Sequence, residues 1–205
     1  MMQFSLFEQI ALAIFLLSGI SFFLYHLLLR LKIILKGKSD FSIDQLPKRI
    51  ARVFDEVILH KKVASGKRKS AGILHALVMY GFIFFGLITI NHFGMAFGLP
   101  IFSDSIRHAY FLFFGAPWAI LCSIGILGLA YRRFVIKPEA LGKFSSTSAI
   151  VSVFIVTLMV TYLIDEFHIL SGAAEKFNWW LHSGVIGGFL FLIPQSKHMH
   201  LVLSP

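Results

Sequence analysis

The sequence has 205 residues, 57% hydrophobic and 14% charged, with a mean hydropathy of +0.80; that is too few polar side chains to wet a soluble domain, so a bilayer is the solvent for most of the chain. The formal charge of +9 does not mark a nucleic-acid partner, because the basic residues sit in the gaps between apolar runs, where they act as topology signals. The single Cys122 lies within an apolar run, so neither a disulfide nor a four-cysteine cluster can be built, and any iron–sulfur centre belongs to another domain or chain.

The first apolar run, about 10–29, follows Glu8 and is stopped by Arg30, Lys32, Lys36 and Lys38. It is too long for a removable signal peptide and lacks a small-residue cleavage site, so it reads as a first transmembrane helix. The cytoplasmic loop, about 30–70, holds the only long polar segment. In it Ile50, Val53, Phe54, Val57 and Ile58 recur at helical spacing, which predicts a short amphipathic helix on the membrane surface. A second span is expected at about 71–93 and a third at about 109–131, ended by Arg132, Arg133 and Lys137. The fourth, about 149–164, follows a serine-rich start suited to an N-cap and ends at Asp165 and Glu166. The fifth, about 179–200, opens on the interfacial pair Trp179 and Trp180 and runs through Pro194.

The expected fold is thus all-α: one membrane domain over 1–205, a bundle of five transmembrane helices. Under that topology 17 of the 19 Lys and Arg residues fall on one side, with only Arg107 and Lys176 on the other. The positive-inside rule puts the basic side in the cytoplasm and the N-terminus outside.

Nine histidines stand at 26, 60, 75, 92, 108, 168, 182, 198 and 200. Ionisable groups within a membrane are costly without a partner, so those in the spans are candidates for function. His60 and His168 fall in loops, and His26 and His108 at helix ends where they reach water. His182 and His200 are eighteen residues apart on one expected helix, and eighteen steps of about 100° return to the same face some 27 Å along. By depth, His75 can face His200 and His92 can face His182. Two imidazoles from facing helices are how a bundle holds a b-type haem. Gly72, Gly81, Gly86, Gly184, Gly187 and Gly188 offer room for the macrocycle or, equally, close helix packing. The seventeen-residue step from His75 to His92 turns the second ring about 100° away, so His108 or His168 can replace it opposite His182, or His182 can serve a quinone instead.

Two stretches carry a family resemblance. Gly72-Ile-Leu-His75-Ala-Leu-Val-Met-Tyr80-Gly81-Phe82 follows a basic Leu59-His-Lys-Lys62, and Trp179-Trp180-Leu-His182 is followed by Ile193-Pro194-Gln195-Ser196-Lys197-His198-Met199-His200 and the closing Ser204-Pro205. They resemble the gamma subunit of respiratory nitrate reductase and its relatives, the cytochrome b domains that begin electron-transfer-flavoprotein:menaquinone oxidoreductases and heterodisulfide-reductase-like iron–sulfur membrane proteins. The resemblance implies a haem b held by His75 and His200 near the cytoplasmic face, with His198 the competitor for His200, and His182 a ligand of a second, outer haem. In the family the second helix carries two ligands ten residues apart, whereas here that position is Phe85; one haem is expected and a second stays open.

In many relatives a cysteine-rich cytoplasmic domain follows the point where this sequence stops, which implies an iron–sulfur partner on a further domain or a separate chain. The function implied is electron transfer between a cytoplasmic iron–sulfur or electron-transfer flavoprotein and menaquinone or a related quinone, in the cytoplasmic (inner) membrane of a bacterium or archaeon. The basic loop can dock that partner or touch anionic lipid. Asp165, Glu166, His168 or His182 can relay protons at the outer face, and Lys61, Lys62 or His198 at the inner. The competing readings are a histidine-based metal or proton transporter and a haem-free anchor for a cytoplasmic enzyme.

Overall fold

A computed structural model describes residues 3–37, 44–59 and 69–203; His60, Lys61, Lys62 and Ser204-Pro205 lie outside them. The described residues form helices joined by short connections, with no strand among them. Helix α1 (Leu6–Leu35) starts at a capping box in which the Glu8 amide donates to Ser5 Oγ at 3.3 Å and the Ser5 amide to Glu8 Oε2 at 2.8 Å. The amphipathic segment forms as expected, as α2 (Leu46–Val53) continued by a wide turn over Phe54–Ile58. Leu46, Ile50, Val53 and Phe54 stand exposed along it.

Helix α3 (Lys69–Ala96) is followed by α4 (Asp104–Tyr110) and α5 (Ala116–Tyr131). The last two are one continuous helical stretch, joined by a π-turn over Phe111–Gly115. Pro117 explains that turn: it has no amide hydrogen and its ring crowds the carbonyl one turn back, so the bonding register widens, as in the Ala116 amide to Phe111 carbonyl bond. Helix α6 (Ser146–Glu166) is capped by Ser145, and α7 (Gly172–Leu192) leads into a 3-10 turn over Lys197–Met199 and the short α8 (His200–Leu203).

Four stretches are long and apolar enough to cross a membrane: Leu6–Leu35, Lys69–Ala96, Asp104–Ile136 and Ser146–Glu166. Each exceeds its sequence-derived bounds by a few residues, because caps and interfacial polar side chains extend a helix past its apolar run. The expected fifth span is where the structure differs most. It begins at Gly172 instead of Trp179, and it ends at Leu192 instead of continuing to His200. Pro194 ends it, since a proline leaves the carbonyl one turn back without a donor. Glu175, Lys176, Asn178, His182 and Ser183 also dilute its apolar character, and Asn178 and Ser183 are buried.

Helix α3 packs on α5, α5 on α6, α6 on α7 and α7 on α1. Gln9 closes the circuit at one end, donating to the Ala96 carbonyl at 3.0 Å. Helices α3 and α7 are not a closely packed pair; they meet through side chains, such as the Phe82 and Phe189 rings 6.0 Å apart. The glycines divide accordingly. A Cβ at Gly81 would press on Cys122, at Gly187 on Phe15 and at Gly188 on Phe154, so these three serve close helix packing, whereas one at Gly86 or Gly184 would meet nothing within 4 Å.

Candidate functional site

The gap between α3 and α7 holds a histidine pair at each end. At the basic end, near Arg30, Arg132, Arg133 and Lys197, the chain turns out of α7 at the buried Pro194. Arg30 of α1 clasps this turn, its Nη2 donating to the Pro194 carbonyl at 2.8 Å. Ser196 then accepts the His198 amide at 3.2 Å and starts the 3-10 turn. The turn presents His200 to His75 at the start of α3, with ring centroids 6.1 Å apart and planes inclined by 36°.

The His200 Nδ1 lies 3.0 Å from the Lys197 carbonyl. A carbonyl only accepts, so Nδ1 carries the proton and the Nε2 lone pair is left for a ligand bond. His198 turns aside: its Nδ1 is 3.2 Å from Ser196 Oγ and its ring 6.3 Å from that of His200. Burial pushes the His198 imidazole down to about 4, with the charges of Lys197, His200 and His75 adding. Thus the pairing of His75 with His200 arises from a broken helix, not from the shared stripe with His182 that an unbroken one would give.

At the other end His92 and His182 face each other at 5.0 Å and 56°. The rotation expected from the seventeen-residue step does not keep them apart. His92 Nε2 lies 2.9 Å from Ser183 Oγ, and the Trp179 ring stacks on His92 at 4.7 Å and 16°. Thr161 Oγ1 sits 2.7 Å from His182 Nδ1 and donates to the Thr157 carbonyl at 2.6 Å, so it accepts the Nδ1 proton and leaves Nε2 of His182 as an acceptor. Asn178 supports Thr161 through its carbonyl at 2.9 Å.

These histidines floor a cavity of about 330 Å³ that also takes in Tyr162, Asp165, Glu166, His168 and Arg107. Arg107 Nη1 bridges both carboxylate oxygens of Glu166, at 3.1 and 3.2 Å. Lys176 pairs with Glu8 at 2.7 Å beside it. His108 is exposed, and His26 packs against Phe22 at 4.5 Å, so neither joins a pair. Sequence reasoning missed Thr161, Asn178, Ser183 and Arg30. The first three had a signal, being polar residues at histidine depth within the helical runs; Arg30 had none, since a basic residue at a helix end is also what topology requires.

The two pairs differ as metal sites. Two imidazoles that each bond one metal at about 2.0 Å hold their ring centres about 6.3 Å apart. The His75–His200 separation of 6.1 Å fits this. The His92–His182 pair, at 5.0 Å and with His92 Nε2 engaged by Ser183, does not. A bare metal ion needs more side-chain ligands than two, and among the described residues no group of three or more His, Cys, Asp or Glu is so arranged.

The chain is 30% identical, over 213 aligned positions, to the protein named "Probable iron-sulfur-binding oxidoreductase FadF" of Bacillus subtilis (strain 168). The alignment takes in 89% of this chain, which spans about 30% of that relative's length. No family model and no solved structure matches the chain.

Proposed function

We propose that this chain is the membrane cytochrome b part of a quinone-linked oxidoreductase, with one b-type haem between His75 and His200. The observation that carries the reading is the facing of these two rings at 6.1 Å, with His200 held in the tautomer a ligand needs. His75 and His200 would hold a metal that brings the rest of its nitrogen ligands with it, and such a group, when bound there, would supply one-electron transfer. Similarity to a relative named as an iron–sulfur-binding oxidoreductase supports electron transfer as the general role.

In this reading α7 is a fifth crossing, its 21 residues rising about 31 Å with polar groups turned inward between α1 and α6. The basic end faces the cytoplasm of a bacterium or archaeon. There the His75–His200 site lies next to a docked iron–sulfur or flavoprotein partner. The residues of this end do three things: Arg30 holds the turn at Pro194, the Lys197 carbonyl fixes the His200 proton, and His75 with His200 ligate.

The cavity at the acidic end suits the head of menaquinone or a related quinone, since its volume lies in the range of small-molecule sites and its few polar groups converge. The His182 Nε2 accepts a hydroxyl proton there, and Asp165 and Glu166 line the way outward. The two levels are about 25 Å apart along α3, and the rings of Phe82, Phe189, Phe85 and Tyr162 stand between them.

A reduced-minus-oxidised optical spectrum of the purified, haem-replete protein tests the reading. Wild type shows b-type bands; H75A and H200A lose them, H198A keeps them, and H92A and H182A keep them but are reduced more slowly by a menaquinol analogue. A wild type without b-type bands, or survival of the bands in H75A or H200A, overturns it.

A further inference from the structure

Three hydroxyl groups line the cavity at the acidic end, those of Tyr110, Thr161 and Tyr162. Two are spent inside the protein: Tyr110 Oη donates to the Phe84 carbonyl at 2.7 Å, and Thr161 Oγ1 to the Thr157 carbonyl at 2.6 Å. The third makes no hydrogen bond among the described residues, although Tyr162 is only 5% exposed. Its ring packs 5.0 Å from that of Phe85 and 6.0 Å from that of Phe111, contacts that a phenylalanine would make equally well. The fold nevertheless keeps space for the oxygen, which stands against Gly115 of the π-turn, where any Cβ would strike it. A buried hydroxyl without a partner lowers stability, and a bound acceptor recovers that loss. His182, on the α7 side of the same cavity, has the opposite character. With its Nδ1 proton committed to Thr161, its Nε2 only accepts, so it bonds the hydroxyl of a reduced ring and has nothing to give a carbonyl. Arg107 does not serve in its place, since its Nη1 is taken by both oxygens of Glu166.

We propose that the Tyr162 hydroxyl donates to a carbonyl oxygen of the oxidised quinone ring in this cavity, so that Tyr162 holds the quinone and His182 the quinol. The assignment rests on the reading of the cavity as a quinone-head site. It gives the site a donor for one redox form and an acceptor for the other, and it ties the balance between the two affinities to two named side chains.

The test is a calorimetric titration of the full chain in detergent, under argon, with menadione and with its reduced form menadiol as tailless probes. Y162F is expected to bind menadione about fivefold more weakly than wild type, the loss of one neutral hydrogen bond, while menadiol binding moves by less than about twofold. H182A should do the reverse. Thermal melting of Y162F should stay at the wild-type temperature or rise, because no hydrogen bond within the protein is lost. Unchanged menadione affinity in Y162F, with H182A still weakening menadiol, overturns the inference alone. So does a Y162F variant that loses both probes equally and melts lower, which marks a packing role. If wild type binds neither probe, or if H182A and Y162F both leave both affinities unchanged, the quinone reading of this cavity falls and takes the inference with it.

Discussion

Replacing Thr161 by valine isolates the device that sets the His182 proton. Thr161 is 4% exposed, and its hydroxyl is at once donor to the Thr157 carbonyl and acceptor for His182 Nδ1. Valine keeps the shape and removes the acceptor. The His182 N–H, in a site largely closed to water, is then either left unpaired or moved to Nε2. An unpaired buried donor costs about 1–3 kcal/mol. T161S, which keeps the hydroxyl and loses one buried methyl, costs about 1 kcal/mol by burial alone, so the pair of variants separates hydrogen bonding from packing. Unfolding by denaturant in detergent micelles reads the stability, and nitrogen NMR of labelled histidine reads the tautomer. The expected outcome is that T161V is the less stable variant or that its His182 proton has moved to Nε2, with slowed quinol oxidation in the second case because the acceptor facing the cavity is gone. A T161V protein as stable as T161S with the proton still on Nδ1 refutes the assignment.

Alanine at Gly187, whose Cβ would strike the Phe15 ring, is expected to destabilise by about 1–3 kcal/mol through overpacking. At Gly86, where nothing lies within 4 Å, alanine should be neutral or stabilising by up to about 1 kcal/mol; equal effects in thermal melts would refute the division of glycines. R107Q and E166Q should each cost about 2 kcal/mol, between exposed and buried pairs because the side chains are 29% and 10% exposed. The double variant should cost less than their sum, which a double-mutant cycle checks. R30Q should loosen the turn at Pro194 and weaken haemin binding several-fold without removing the band, since a charged hydrogen bond and not a ligand is lost. For pH, the His198 imidazole is lowered to about 4 in the folded protein. Between its ordinary value and that one the unfolded chain binds a proton the folded chain does not, so apoprotein stability is full above about 6.5 and falls as pH drops toward 4. H198Q should flatten that slope.

Four of the helical stretches were legible in the sequence, because runs of apolar residues bounded by charge leave the chain little alternative in a bilayer. Both histidine pairings were legible by depth alone. What was not legible is how they come about. The step from His182 to His200 was read as one straight helix, and a chain turned at Pro194 has no fixed phase across the break. The seventeen-residue step from His75 to His92 was read as a rotation out of register, yet side-chain reach at Trp179 and Ser183 brings the rings together. Periodicity places a Cα on a helix face, but which nitrogen of a ring is engaged depends on neighbours such as Thr161 and Lys197, supplied by other turns or other helices.

The turn at Pro194 makes the basic end depend on three parts of the chain at once. His75 is placed by α3 as it packs on α5, whereas His200 is placed by a turn that Arg30 of α1 secures through the Pro194 carbonyl. The facing of the two rings is therefore a tertiary property, present only when α1, α3 and the turn after α7 are docked together, so the ring-to-ring distance at this end reports assembly of the whole bundle and not of any single helix.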